Sequence, residues 1–206
     1  EQGAAIGGAT GAGGEAPKLL LTEDRHGALH PDAVLPDEEA AQHWFVKFAR
    51  NKAAQTDQDI LRSEYCFYRA IQQLGMDTIA ADGLALEEGN KPSLWMHRFD
   101  REISSAGVGR TAVESMYSLS GVTEAGSYML HSQVLRNLVE LWQTVGQGQQ
   151  VEDLVFEYMR RDLLNQILGN SDNHGRNTSI IRSEQGVRLA PIYDPVSYTH
   201  LRAHET

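Results

Sequence analysis

Asp172 and Asn177 stand five residues apart in the stretch GNSDNHGRNTSII, Gly169 to Ile181, and Asp194 follows in Pro191-Ile192-Tyr193-Asp194. Carboxylate and amide oxygens are the hard ligands that Mg2+ prefers, and Mg2+ keeps its remaining positions for water and phosphate. Phosphoryl transfer uses such a set: one acid orients or deprotonates the attacking hydroxyl, while an amide and a second acid hold metal on the nucleotide phosphates. The same stretch also has the composition of an ordinary turn, where Asn, Asp and Gly are favoured. Spacing alone leaves both readings open.

These residues need elements that bring them together. Val151, Leu154, Val155, Tyr158, Met159, Leu163, Ile167 and Leu168 follow helical spacing, and Gly169 is the stop signal. A strand is expected over Thr178 to Arg182, a turn at Glu184-Gln185-Gly186 and a returning strand over Val187 to Ala190, so a short hairpin would carry Asp194 back towards Asp172 and Asn177. Leu130, Val134, Leu135, Leu138, Val139, Leu141, Trp142 and Val145 predict another helix before it. The first half reads differently. Strands are expected over Lys18 to Thr22, His43 to Phe48, Leu84 to Glu87 and Leu94 to Phe99, with one amphipathic helix over Asp57 to Leu74 closed by Gly75, and a polar connection over Glu23 to Ala41. A sheet-rich lobe thus joins a helix-rich lobe near Phe99-Asp100-Arg101, and a ligand-binding cleft is expected between them.

Three features of the first half bear on chemistry. Gly11, Gly13 and Gly14, followed by Pro17-Lys18 and a strand, form either a phosphate-facing loop or a flexible terminus. Lys47 interrupts the apolar run Trp44-Phe45-Val46-Lys47-Phe48; it either snorkels from an edge strand, the commoner fate, or meets an anion. Glu64 on the following helix is its partner or a solvated helix charge. Cys66, the single cysteine, reads as buried filler and cannot form an internal disulfide.

Composition bounds the rest. The 206 residues carry 18 Lys plus Arg against 28 Asp plus Glu, a formal charge of -10, which leaves no broad basic footprint for direct nucleic-acid binding. Hydrophobic content is 41% without a run long enough for a membrane span or a basic leader at the start, and the expectation is a cytoplasmic protein with no membrane partner.

In this order, GAGGEAPKLLL, WFVKF, RSEYCFYRAIQQLG, LWMHRFDR, NQILGNSDNHGRNTSI and LAPIYD resemble the HipA-like serine/threonine kinases, the toxin kinases of bacterial toxin-antitoxin systems, in particular their stand-alone HipH branch. The resemblance, over about Gly11 to Val196, implies an α+β, two-lobed protein-kinase-like fold with a small sheet-rich N-lobe and an incomplete helical C-lobe. It divides the chain into a flexible segment 1–10, a nucleotide-binding N-lobe 11–101, a partial C-lobe 102–196 and a tail 197–206. It implies ATP and Mg2+ as cofactors, a protein substrate and an antitoxin protein as partner. Asp172 would be the catalytic acid, Asn177 and Asp194 the metal pair, and Lys47 the phosphate-binding strand lysine. Gly13, Gly14, Glu15, Ala16, Pro17 and Lys18 would cover the phosphates. His97 and Phe99 occupy the hinge that meets adenine, with His97 in place of the family's usual acid. His174 and Tyr193 match further nucleotide-contacting positions.

The departures are specific. Asn170-Ser171 precedes Asp172 where ordinary protein kinases have His-Arg, and Pro195 follows Asp194 where they have Phe-Gly. The serine that the family prototype phosphorylates in autoregulation has only Thr10 nearby as a counterpart. The run after Val196, with His200 and His204 in helical spacing, reads as a foreign joined sequence, and Glu1 without methionine as an incomplete start. Two other functions fit the same residues. One is a metal-dependent nuclease in which the acids and His174 activate water; the other is an inactive fragment or pseudokinase that binds nucleotide or a partner.

Overall fold

The computed structural model describes residues 16–32, 34–50, 52–105, 107–124, 127–170, 175 and 177–195. In chain order the strands are β1 (Lys18–Asp24), β2 (Leu29–Pro31) and β3 (Ala40–Phe48), followed by helix α1 (Gln55–Gln73). Strands β4 (Leu84–Glu87), β5 (Ser93–His97), β6 (Arg101–Ser104), β7 (Gly107–Arg110) and β8 (Ala112–Ser115) come next, then helices α2 (Met116–Leu119), α3 (His131–Thr144) and α4 (Val151–Ile167), and the hairpin β9 (Ser179–Ser183) and β10 (Gly186–Leu189). Contacts divide the chain between Arg110 and Thr111 into two compact units. The mixed α+β architecture agrees with the expectation from sequence, and among the described residues no helix is long and apolar enough to cross a membrane.

The first unit is built on a five-stranded antiparallel sheet in the order β2-β1-β3-β5-β4. Side chains alternate between faces along each strand. Phe45 and Lys47 of β3 therefore share a face with Leu94 and Met96 of β5 and Leu84 of β4, through the pairs Phe45 with Met96, Lys47 with Leu94 and Leu84 with Met96. That face carries α1: Leu61 and Tyr68 of the helix join Ile79, Leu84, Leu94 and Met96 in one core cluster, with Phe45, Tyr65 and Phe99 packed against it. The inner stripe of α1 is Asp57, Ile60, Leu61, Glu64, Tyr68 and Ile71, the three-and-four spacing of an amphipathic helix with two acids on its buried side.

The second unit packs α3 and α4 on the three-stranded sheet β8-β9-β10. Val134, Leu138 and Trp142 of α3 meet Leu154 and Tyr158 of α4 and Ile180, Val187 and Leu189 of the hairpin. At roughly 1.5–3 kcal/mol for each large apolar side chain removed from water, this cluster is the main source of cohesion of the unit. Part of the apolar spacing read on α4 does not enter the core: Met159, Leu163 and Ile167, with Phe156, are exposed.

Three expectations are corrected. Cys66 is exposed, because it falls on the outer side of α1. Lys47 is on the central strand of its sheet and buried, so it does not snorkel from an edge. Glu64 is buried as well and is not a solvated helix charge. The connection over Glu23 to Ala41 contains β2, and the β6–β7 hairpin belongs to the first unit; both are short and polar, which left little periodicity to read.

A polar network closes one end of the first sheet. Thr22 Oγ1 donates to Asp32 Oδ1 at 3.0 Å and lies 3.1 Å from His43 Nδ1, and Arg98 reaches both Asp32 and Asp100 at 2.7 Å. Burial works to raise the Asp32 pKa, but Arg98, Thr22 and His43 outweigh it and hold the carboxyl below its ordinary value. His43 is buried, and its Nε2 makes no hydrogen bond. Burial pushes its pKa down against the pull of Asp32, and burial lowers that of His97 too. Both therefore favour the neutral ring when folded, while the unfolded rings take up protons near about pH 6.5. The stability they contribute is complete above that pH and is lost as pH falls towards the depressed folded values. Denaturation midpoints should drop between about pH 7 and pH 5, and His43→Gln with His97→Gln should flatten that slope; an unchanged slope in the double variant would rule the assignment out.

Candidate active site

In the first unit, Lys47 Nζ donates to Glu64 Oε1 at 2.6 Å, with the two side chains 5% and 3% exposed. An ammonium this deep survives only with a partner, since the desolvation cost of an isolated buried charge is large. Lys18 is the register partner of Lys47, so two cationic side chains stand on one face of neighbouring strands. Pro17 leads into β1 and its carbonyl accepts from Phe48 N at 3.0 Å, holding Ala16 to Lys18 against the end of β3.

A second ion pair, unread in the sequence, lies nearby: Arg50 Nε and Asp57 Oδ1 are 3.5 Å apart, both largely buried. The signal for it was present in the spacing, since Asp57 is seven residues before Glu64 on the same stripe of α1.

His97 lies elsewhere. As the register partner of Trp44 it is on the sheet face opposite Lys47, with ring centroids 4.3 Å from Trp44. Gly83 packs so tightly beneath it that a Cβ there would meet its ring at 2.5 Å. Phe99 is partly buried against the core on the α1 side.

In the second unit, α4 ends at Gly169, whose φ of 65° is the left-handed conformation that glycine adopts without penalty. Gly169 N donates to Gln166 O and Asn170 N to Asn165 O, the paired bonds of a Schellman cap. Buried Asn170 adds a side-chain bond from Nδ2 to Asn165 Oδ1 at 2.9 Å. At the far side of the loop Gly175 is buried where a Cβ would come within 2.5 Å of Tyr117 and 2.6 Å of Met129, and Tyr117 N bonds its carbonyl. Asp172 and His174, like Gly13, Gly14 and Glu15, lie outside the described residues. The two anchors that bracket Asp172 and His174 are therefore built of packed, hydrogen-bonded residues.

The hairpin β9–β10 then returns the chain. Ala190 N donates to Ser179 O at 2.8 Å; Asn177 lies two residues before β9 and Asp194 five residues after β10. Tyr193 OH sits 2.6 Å from Ser179 Oγ across the same end, and burial pushes its phenol up to about 12, keeping it protonated. Arg161 of α4 donates to Ala190 O at 2.6 Å and to Glu157 at 2.8 Å, tying the hairpin to the helix. Asp194 has φ 52°, a left-handed conformation uncommon for a residue with a side chain. Strain of that kind costs about 1–3 kcal/mol and persists where surrounding structure imposes it.

Among the described residues no group of three His, Cys, Asp or Glu can hold a metal ion. Asn177 and Asp194, on the chain before and after the hairpin, offer two hard oxygen donors. That matches Mg2+, which takes one or two protein carboxylates and fills its octahedron with water and substrate phosphate.

A profile of the HipA-like C-terminal domain matches residues 10–205. A Sinorhizobium fredii protein described as "Putative kinase Y4mE" is 29% identical over 109 residues, covering 52% of this chain and 26% of its own. HipA of Shewanella oneidensis MR-1, solved in a toxin-antitoxin complex with HipB and its operator DNA, superposes with a TM-score of 0.65 at 21% identity over 90% of this chain and 43% of its own. The chain thus spans about a quarter to under half the length of these relatives. They support the HipA-like family as a whole and not the HipH branch within it. With its matched profile running through Lys47, Asn177 and Asp194, the chain belongs to the HipA-like C-terminal domain family.

Proposed function

We propose that this chain carries the nucleotide site and catalytic loop of a serine/threonine protein kinase, using Mg-ATP and acting on a protein hydroxyl. The observation that carries the reading is the buried Lys47–Glu64 pair on the central strand beside Lys18. A buried ion pair contributes little net stability compared with apolar residues of the same volume. Its presence beneath α1 is best accounted for by an ammonium held ready for phosphate oxygens.

In this reading Lys47 and Lys18 align the ATP phosphates, with Gly13, Gly14, Glu15, Ala16 and Pro17 above them, and Phe99 and the backbone at His97 border the base. Asn177 and Asp194 would hold Mg2+, which when bound neutralises charge on the β- and γ-phosphates. Asp172 orients the substrate hydroxyl and accepts its proton as the new O–P bond forms, the bond from the γ-phosphorus to the β-bridging oxygen breaks, and ADP leaves. Tyr193 and His174 border the nucleotide. Membership of the family and the antitoxin complex of the Shewanella neighbour support a toxin role with an antitoxin protein as partner.

Transfer of radiolabelled γ-phosphate from ATP to a protein acceptor should vanish in Asp172→Ala and Asp194→Ala while Mg-ATP binding by Asp172→Ala persists. Full transfer by either variant would refute the assignment. Binding without transfer by the wild-type chain would favour a non-catalytic nucleotide module, and cleavage of DNA in the absence of ATP a nuclease.

The ion pair makes a separate prediction about stability. Glu64→Ala breaks a buried ion pair by removing one partner and should cost roughly 3–5 kcal/mol in chemical denaturation, whereas Lys47→Met with Glu64→Leu should be close to neutral or stabilising and should lose ATP affinity. A double variant as unstable as Glu64→Ala would show that the pair is held for stability instead.

A further inference from the structure

Two ion pairs join β3 and the residues just after it to α1. Lys47 meets Glu64, and Arg50, two residues past the end of β3, meets Asp57, seven residues nearer the start of the helix. Seven residues of helix span about 10.5 Å. The pairs follow in opposite order along strand and helix, so α1 runs back over the chain that leads into it. Asp57 and Glu64 lie on one buried stripe, with Ile60 and Leu61 packed between them.

The order of the pairs along the chain matters. Arg50–Asp57 closes the shorter loop, with the entropy of closure rising with loop length. Once it is closed, the chain left to order before Glu64 can reach Lys47 is helix alone. Arg50–Asp57 thereby sets the axial position of α1 at its first turn, where the helix begins at Gln55 without a side-chain cap to hold it.

We propose that Arg50 and Asp57 are positioning residues for Lys47: their pair fixes α1 so that the Glu64 carboxylate meets the Lys47 ammonium, and the affinity of the site for a polyphosphate depends on it. This rests on the reading of Lys47 as the phosphate lysine. Neither Arg50 nor Asp57 needs to touch the nucleotide for the effect.

Calorimetric titration of the 206-residue chain with Mg-ATP and, separately, with adenosine tests it, using Asp57→Asn, Glu64→Gln and the double variant at a temperature where circular dichroism shows each to be folded. Glu64→Gln and Asp57→Asn should each weaken Mg-ATP binding about tenfold, the scale of one charge-assisted contact. The double variant should be no weaker than Glu64→Gln alone, and adenosine affinity should not move. Losses that multiply in the double variant, an unchanged Asp57→Asn, or equal loss of adenosine overturn the proposal. Should Asp57→Asn not fold, Asp57→Glu and Arg50→Lys keep the charges while shifting their positions, and the same selective loss of Mg-ATP is expected from them. If the wild-type chain binds no Mg-ATP, the nucleotide reading fails, and acetylation of Lys47 by an N-hydroxysuccinimide ester still decides the positioning: faster labelling in Asp57→Asn, as in Glu64→Gln, upholds it, and an unchanged rate overturns it.

Discussion

A buried charge on a sheet constrains what packs around it. Lys47 is on the central strand, flanked by β1 and β5, and its side chain is largely buried. The cost of that burial is met only if a carboxylate arrives from outside the sheet with hydrogen-bonding geometry. Glu64 meets it at 2.6 Å, and this constrains how α1 sits on the sheet: a slide by one turn would move the carboxylate about 5.4 Å and break the bond. Apolar packing alone is more permissive, because Leu61 and Tyr68 could find other neighbours at modest loss. The ion pair supplies the specificity that the core cluster lacks.

The second unit solves a different problem, which is to return a chain to the same place after an excursion. Antiparallel pairing of β9 with β10 does this through backbone bonds, and the tie from Arg161 to Ala190 secures it to α4. Caps and close packing do the rest, with Asn170 buried at one side of the loop and Gly175 pressed against Tyr117 and Met129 at the other. Backbone strain is concentrated at Asp194, where the chain leaves the hairpin. Strain placed next to well-bonded elements is sustainable because the neighbours over-determine the conformation.

How much of this was legible depended on whether a feature had a period. The helices α1, α3 and α4 and the hairpin β9–β10 carried regular apolar spacing and were readable to within a few residues. Short polar strands were not: β2 has three residues, and β6 and β7 are largely solvated, so their pairing is visible only in three dimensions. Burial of single residues was harder still. Cys66 lies two residues past Glu64 and so turns outward from the stripe that buries Glu64, a rotation of about 200° that composition cannot show. Pairing of Lys47 with Glu64 was one alternative beside the commoner fates of edge snorkelling and solvation; the two are one buried unit, because a pair can go where neither member can go alone. The catalytic-loop candidates were read from spacing and resemblance, and the structure describes their anchors, Asn170 and Gly175, with Asn177 and Asp194.

The period of two also decides what a ligand on the Lys47 side of the sheet can touch. Counting along β5 from the partner of Lys47, Leu94 and Met96 face the same way as the ammonium, while Trp95 and His97 face the other. Leu94 and Met96 are already buried against α1. The His97 ring is committed to Trp44 and to the small space left by Gly83, and its lowered pKa makes it a neutral, packed group there. The side chain at 97 therefore belongs to the far face of the sheet. On the Lys47 side, β5 presents Leu94 and Met96, whatever side chain stands at 97.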